Sequence, residues 1–301
     1  MLDNAAGPQR VQAATPGDKI SASRYEEDEA RMMTIRKTLP SPAFREYVRH
    51  FELRELVVKG RVGVRPLPAR SAQLLVYHLA DQSGSQIFDH RSRKTLRTPP
   101  AGVMGPQTFR AVDALWKGNF RDFVVSFQPS GFYRLFSLPM TELTDRIYEA
   151  SELMGCEVCW LHERLHQSAS LNEMARLTEN FLLKRLAAVE PFHFVQVASA
   201  SILDRHGQVQ LDDLVQKAGV SQRQFERKFI EQVGMGPKLY CRVSRLNKAI
   251  RLKEERPDQT WTDITYQAGY FDQTHLIKDF KLLAGATPSE FFRLITEGFA
   301  T

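Results

Sequence analysis

Two patterns of hydrophobic positions divide the chain. From residue 62 to residue 128, short apolar runs broken by glycine, proline and aspartate are typical of regularly spaced β-strands. In the last run, Phe123, Val125 and Phe127 alternate with a mixed face, which predicts a strand with one apolar side. After Pro129, apolar residues recur every three to four positions, the spacing of amphipathic helices. The patterns predict an α+β protein, with a β-barrel-like N-terminal domain that ends in helices and an all-α C-terminal domain.

The predicted N-terminal domain covers residues 34–190, because Pro191 ends the last of its helices. Residues 1–33 are rich in small residues, proline, glutamine and charge without any periodicity, and we expect a disordered tail there. The stretch 41–56 has apolar residues at Phe44, Tyr47 and Val48 and is interpreted as the start of a helix.

Residues 211–293 contain one helical motif twice. Each copy has a helix, a turn with an Ala-Gly pair, a second helix and a glycine stop. The Ala-Gly pair is at 218–219 in the first copy and at 268–269 in the second, whose turn is one residue longer. This is the layout of a helix-turn-helix. The repeat therefore predicts helix-turn-helix units at residues 211–234 and 261–285.

The segment between the two units predicts one long helix over residues 237–256. Pro237 suits the first turn of a helix, and Pro257 lies just past its end. The apolar positions of this segment recur at helical spacing: Leu239, Val243, Leu246 and Ile250. Such a helix would hold the two units at a fixed distance, and helices about 34 Å apart can enter successive major grooves on one face of DNA.

The second helix of each unit has an apolar side and a polar side. In the first unit, Phe225 and Phe229 form the side to be buried, and Arg223 lies opposite. Leu276 and Phe280 repeat the apolar pair in the second unit. A helix that reads DNA needs this division, because one side anchors it while arginine and glutamine on the other side hydrogen-bond to guanine and adenine.

Residues 192–295 resemble the DNA-binding domain of AraC/XylS-type transcription regulators, within a C-terminal domain predicted at 191–301. The resemblance is carried by the segments LVQKAGVSQRQFERKF, GMGPKLYCRVSRLNKA and AGYFDQTHLIKDFKLLAGATPSEFFR. The groove-facing positions that it implies are Gln222, Arg223, Glu226, Arg227, Gln273, Thr274, His275 and Lys278. Further candidates, for phosphate contacts, are Ser221, Arg242 and Lys281.

Two features depart from the family's pattern. Val215 replaces a usually small residue where the two helices of the first unit cross. Lys278 with Asp279 replaces a more usual arginine-centred pair. These departures leave the recognised base sequence open. Residues 34–190 resemble, less specifically, a barrel-plus-helices sensor domain, which implies signal sensing and dimer formation but names no ligand.

Both halves together predict a sequence-specific DNA-binding transcription regulator that is controlled by an effector or a partner at its N-terminal domain. The expected partners are double-stranded DNA, RNA polymerase, a small-molecule effector and a second copy of the chain. Candidates to line an effector pocket are Phe123, Val125 and Phe127, for which plain core packing is the alternative. The apolar stripe of a later helix either packs on the barrel or pairs two subunits, and it consists of Met174, Leu177 and Phe181.

Charge and composition refine this picture. The net charge is +6, and residues 221–256 hold ten lysines and arginines against four acidic residues, where phosphates would lie. The longest apolar runs fall short of the roughly 18 residues of a membrane span, and the first residues have no signal-peptide core. Three cysteines are typical of a reduced compartment, and we expect a cytoplasmic protein.

Two other classes of function have candidate residues in the sequence. Cys156, Cys159, His162 and His166 have zinc-ligand types and spacing, which raises the alternative of a metal- or thiol-responsive regulator. Four side chains along one helix span roughly 15 Å, too far to converge on one ion, so we expect no bound metal or cofactor. His78 and His90 alone make no catalytic motif, and we predict that the protein is not an enzyme.

Overall fold

The structure, a computed structural model, describes residues 33–80, 85–186 and 194–298 of the 301. The predicted tail, apart from Met33, and the predicted domain boundary at residues 190–191 lie outside these ranges.

One antiparallel sheet forms the N-terminal half. Its strands are β1 Thr34–Thr38, β2 Val48–Pro66, β3 Leu74–His78, β4 Ser85–Asp89, β5 Lys94–Arg97, β6 Ala101–Met104, β7 Val112–Phe127 and β8 Ile147–Glu149. The main path runs β1-β2-β7-β3-β6-β8, and β4 adds to β7 and carries β5. Since β1 and β8 pair with one neighbour each among the described strands, hydrogen bonding leaves the sheet open. The predicted β-rich domain is confirmed.

Strand β7 organises this sheet. Its second half lies between β2 and β3, while its first half lies between β2 and β4. The side chains of Phe123, Val125 and Phe127 are almost fully buried, and Phe123 stacks on Phe51 with ring centroids 5.9 Å apart. The predicted strand is confirmed, and its apolar side belongs to the main core of the domain. The three candidates for an effector pocket are therefore core residues, as the alternative interpretation held.

The helix predicted from residue 41 is wrong. A single 3-10 turn over Pro42–Phe44 is followed by a turn at residues 45–47 and then by β2. The decisive contacts are distant in sequence: Phe51 and Leu53 are buried two residues apart, and they pair with the core side of β7. An antiparallel partner on each side, β1 and β7, outweighs the local helical spacing.

Helices cover one side of the sheet. They are α1 Gly131–Phe136, α2 Met140–Leu143, α3 Ala150–Met154, α4 Glu157–Gln167 and α5 Leu171–Leu186. Met174 and Leu177 of α5 are buried in the same core as β7, and Phe181 packs against that core. The stripe on α5 thus packs on the sheet. Of the two alternatives, packing on the barrel and pairing of two subunits, the structure has the first.

The C-terminal half is all helical, as predicted. Its helices are α6 Phe194–Asp204, α7 Leu211–Ala218, α8 Gln222–Val233, α9 Pro237–Glu255, α10 Trp261–Gln267, α11 Gln273–Ala284 and α12 Pro288–Glu297. Helices α7 and α8 form the first helix-turn-helix unit, and α10 and α11 form the second. Between them, α9 is the predicted long helix, about 28 Å at 1.5 Å per residue.

The two halves contact each other through hydrogen bonds. The amide of Ala69 donates to the carbonyl of Leu283 at 2.8 Å, and the amide of Val64 donates to the carbonyl of Gly298 at 2.8 Å. The Thr144 hydroxyl donates to the carbonyl of Gly234 at 2.8 Å. The N-terminal half therefore touches the C-terminal ends of both α8 and α11 as well as the end of α12.

Candidate nucleic-acid interface and interdomain cavity

The first unit is folded by local signals. Gly219 ends α7 in the left-handed conformation at φ 65°, which glycine adopts without strain. The hydroxyl of Ser221 accepts a hydrogen bond from the amide of Gln224 at 3.3 Å and caps α8. Phe225 and Phe229 are fully buried and stack with centroids 5.9 Å apart. The orientation of α8 is thus set by its buried side.

The opposite side of α8 carries the predicted groove-facing residues. Gln222, Arg223 and Arg227 are exposed, while Glu226 is half-buried. The Gln222 side-chain amide donates to the Glu226 carboxylate at 3.0 Å, which holds these two side chains together. The structure therefore presents two exposed arginine side chains, flanked by a glutamine–glutamate pair.

The second unit repeats this arrangement. Asp272 caps α11 by accepting from the amide of His275 at 2.9 Å, and its carboxylate also contacts the His275 Nδ1 at 2.9 Å. Leu276 and Phe280 are buried, as predicted. The side chains on the outer side are exposed: Gln273, Thr274, His275 and Lys278. We call α8 and α11 the reading helices.

A buried carboxylate ties the second reading helix to the long helix α9. Asp279 accepts two hydrogen bonds from Arg242, from Nε at 2.9 Å and from Nη2 at 2.7 Å. The Tyr270 hydroxyl donates to the second carboxylate oxygen at 3.2 Å. Burial, followed by the charge of Asp279, raises the pKa of Tyr270. These contacts account for the departure from the family's pattern at Asp279, which is a structural residue.

The phosphate-contact candidates lie in different surroundings. Arg242 directs its guanidinium at Asp279, and its assignment as a phosphate contact stays a prediction. Ser221 and Lys281 are both exposed, and Ser221 sits at the start of a reading helix. Sequence reasoning missed the pairing because Arg242 and Asp279 are 37 residues apart.

The long helix α9 is packed between the two units. Val243, Leu246 and Ala249 are fully buried in the C-terminal core, together with Phe229 and Leu276 from the reading helices. This arrangement holds both reading helices on one rigid support, as the spacing of apolar residues predicted.

The geometry agrees with comparisons to known protein families. The model of a helix-turn-helix domain matches residues 214–294. Residues 214–294 form an AraC-type helix-turn-helix domain. A second model, a domain of unknown function (DUF6597), matches residues 36–149. The sheet domain and the helix-turn-helix domain thus match two separate family models.

Relatives agree with this assignment. Uncharacterized HTH-type transcriptional regulators from Staphylococcus aureus strains MSSA476 and MRSA252 are 26% identical over 137 residues, 40% of this chain. The match spans only 18% of the length of those relatives. Among solved structures, ToxT from Vibrio cholerae aligns over 82% of this chain and 98% of its own at 12% identity, with a TM-score of 0.47. A fatty-acid-bound ToxT aligns over 91% and 99% at 10% identity, with a TM-score of 0.46. Likeness at that level carries no conclusion about ligands.

A cavity of about 540 Å³ lies between the sheet and the AraC-type domain. Its apolar lining comes from both halves and includes Leu67, Leu74, Trp116, Ile250, Phe291 and Ile295. Its basic lining also comes from both halves: Arg49, Arg54, Arg65, Arg70, Lys248 and Arg251. Glu254 is the one carboxylate among the lining residues, and it pairs with Arg65 at 3.1 Å.

Positive charge in this cavity is incompletely neutralised. The Nε of Arg70 is shielded from solvent and has no hydrogen-bond partner among the described residues. Burial and the neighbouring Arg54 lower the pKa of Arg70 to about 10. Burial and Arg251 lower the pKa of Lys248. In both cases burial is the larger cause and the neighbouring arginine the smaller one, and repulsion by that arginine is the part that a bound anion would offset.

The cysteine and histidine residues between positions 156 and 166 do not assemble into a site. Cys156 and Cys159 are exposed, while His162 turns inward and its Nε2 contacts the carbonyl oxygen of His78 at 2.8 Å. Within the described ranges, no group of three or more metal-binding side chains converges. His78 pairs with the buried Asp122 at 2.6 Å, a contact that fixes its ring within the sheet. Among the helices that the structure describes, none has the length and apolar character to cross a bilayer.

Proposed function

We propose that this protein is a sequence-specific regulator of transcription that binds double-stranded DNA through both helix-turn-helix units. The observation that carries the proposal is the pair of reading helices, each with a buried aromatic or aliphatic side and an exposed polar side, held by α9. Exposed arginine and glutamine side chains at the start of α8, and an exposed glutamine at the start of α11, have the donors that recognise guanine and adenine. A cytoplasmic location follows from that DNA target.

The experiment is in vitro selection from random duplex DNA, followed by fluorescence anisotropy with the enriched duplex at one salt concentration. Arg223→Ala should weaken binding by about 1–3 kcal/mol and relax the preference at one base position. Arg176→Ala removes an arginine side chain from an exposed position of α5 in the N-terminal half and should leave DNA binding unchanged. Failure to enrich any sequence would refute the proposal, and an equal loss on all DNA would assign Arg223 to a phosphate.

The effector is proposed to be a small organic anion with an apolar body that occupies the interdomain cavity. The volume of the cavity fits such a molecule, and the apolar lining of the cavity can pack against the apolar body. The partly uncompensated arginines of the cavity can bind a carboxylate. Because residues of both halves line the cavity, a ligand there would have different affinities for different domain arrangements. That difference is what couples an effector to DNA binding.

A matched pair of probes tests this chemistry. 4-Phenylbutyrate and 4-phenylbutan-1-ol share an apolar body and differ in charge. Calorimetric titration should give binding of the acid only, and Arg70→Gln should weaken it by about tenfold, a typical loss for a charge-assisted hydrogen bond. Arg97→Gln, at an exposed position of β5, is the control. Equal binding of acid and alcohol, or an unaffected Arg70→Gln variant, would exclude the anion site.

A homodimer and a contact with RNA polymerase stay predictions. The stripe Met174 and Leu177 is committed to the core, so a dimer would need another surface. Equilibrium sedimentation of the full chain measures the association directly.

A further inference from the structure

Phe271 is the most exposed large apolar side chain among the described residues, at 85%. It lies in the turn between α10 and α11, directly before the capping residue Asp272. Its neighbour Tyr270 turns inward and donates to Asp279, so the backbone directs Phe271 outward. A phenylalanine with this exposure has no packing role within the C-terminal core.

The repeat makes this residue unusual. In the first unit, Val220 alone separates Gly219 from the capping residue Ser221. In the second unit, the corresponding interval holds Tyr270 and Phe271. Phe271 is thus the one-residue insertion that distinguishes the second turn from the first. The two units otherwise share their caps and their buried pairs.

The ring is held beside the reading helix. The Phe271 ring meets the His275 ring edge-on, with centroids 6.2 Å apart. His275 is in turn fixed by the Asp272 carboxylate at 2.9 Å. Phe271 therefore shares the side of α11 on which a groove-facing residue, His275, is presented. In helix-turn-helix proteins the first turn of the reading helix is the part that approaches base edges.

We propose that Phe271 reads the C5-methyl group of a thymine in the major groove at the site bound by the second unit. That methyl is the apolar feature that a standard base pair offers in this groove, and phenylalanine is among the side chains that contact it. The inference rests on the proposed function, because it requires α11 to enter the groove. It adds an apolar specificity residue to a set that is otherwise polar.

Replacement of single thymines by deoxyuridine tests the contact, because it removes the methyl group alone. With duplexes enriched by the wild-type chain, deoxyuridine at one position should weaken wild-type binding by about threefold to fivefold. Phe271→Ala should bind the thymine and deoxyuridine duplexes equally, and Phe271→Leu should retain part of the difference. Circular dichroism should show unchanged folding for both variants.

Tyr266→Ala supplies the matched control, because Tyr266 is a second exposed aromatic residue, at 65%, in the same unit. It should keep the wild-type response to deoxyuridine. If no deoxyuridine substitution weakens the binding of the wild type more than that of Phe271→Ala, the inference is overturned while the proposed function stands. If the wild-type chain enriches no sequence at all, the proposed function fails and this inference fails with it.

Discussion

The contact between Asp279 and Arg242 offers a sharp test of how the second reading helix is held. Asp279→Asn keeps the size of the side chain and removes its charge. In the wild type, one carboxylate oxygen accepts both bonds from Arg242, and the other accepts from Tyr270. The asparagine side chain has one accepting oxygen, and its amide nitrogen is a donor. It therefore cannot accept from Tyr270 on one atom and from Arg242 on the other, as the carboxylate does.

The expected loss follows from burial. The Asp279 side chain is 8% exposed and the Arg242 side chain is 37% exposed. A hydrogen bond to a charged group contributes roughly 1.5–3 kcal/mol. Because Arg242 can recover water after the change, we expect the lower end, about 1.5–2 kcal/mol in the free energy of unfolding. The Tyr270→Phe variant should lose part of the same energy, with a coupling of at least about 0.5 kcal/mol between the two changes.

Urea unfolding measures this loss. In a background with Trp116→Phe and Trp160→Phe, the remaining tryptophan is Trp261, which contacts Phe280 of the second reading helix. Its fluorescence then reports on this unit. Asp258→Asn makes the same chemical change at an exposed position in the turn after α9 and should alter stability by less than about 0.5 kcal/mol. If Asp279→Asn unfolds like Asp258→Asn, the contact does not stabilise α11 and our reasoning is refuted.

Three further outcomes are expected. Leu246→Ala, at a fully buried position of α9, should cost roughly 2–5 kcal/mol in urea unfolding, whereas Leu282→Ala, at a 55% exposed position, should cost far less; similar values would place Leu246 outside the core. Burial opposes the charge of Glu52, but Arg54, His50 and Lys37 outweigh it and lower the pKa of Glu52. The contribution of the Glu52 charge to stability is thus present above the unfolded pKa of about 4.5 and is lost as pH falls. The stability difference between wild type and Glu52→Gln should therefore shrink below about pH 4.5. A difference that stays constant with pH would contradict this assignment. Burial raises the pKa of Cys241 to about 11. A thiol reagent at pH 8 should therefore label two of the three cysteines in the native chain and the third only after denaturation. Labelling of all three cysteines in the native chain would contradict the buried position of Cys241.

The helical half was predictable because its signals are local. Caps, glycine stops and apolar spacing lie within a few residues of one another, and the repeat supplied each of them twice. Gly219 and Ser221 end and begin helices as expected. The segment from residue 41 was misread because the strand it enters is decided by β7, about 70 residues later.

The candidate DNA-reading side of each helix follows from the sequence alone, since a helix that buries Phe225 and Phe229 must turn the residues opposite them to solvent. What the tertiary structure decided are the pairings between distant residues. It assigned Arg242 to Asp279 and made Phe123 a core residue. It also brought basic side chains of both halves around one cavity. Spacing along the chain carries no information about such contacts, because they depend on how separate elements pack in three dimensions.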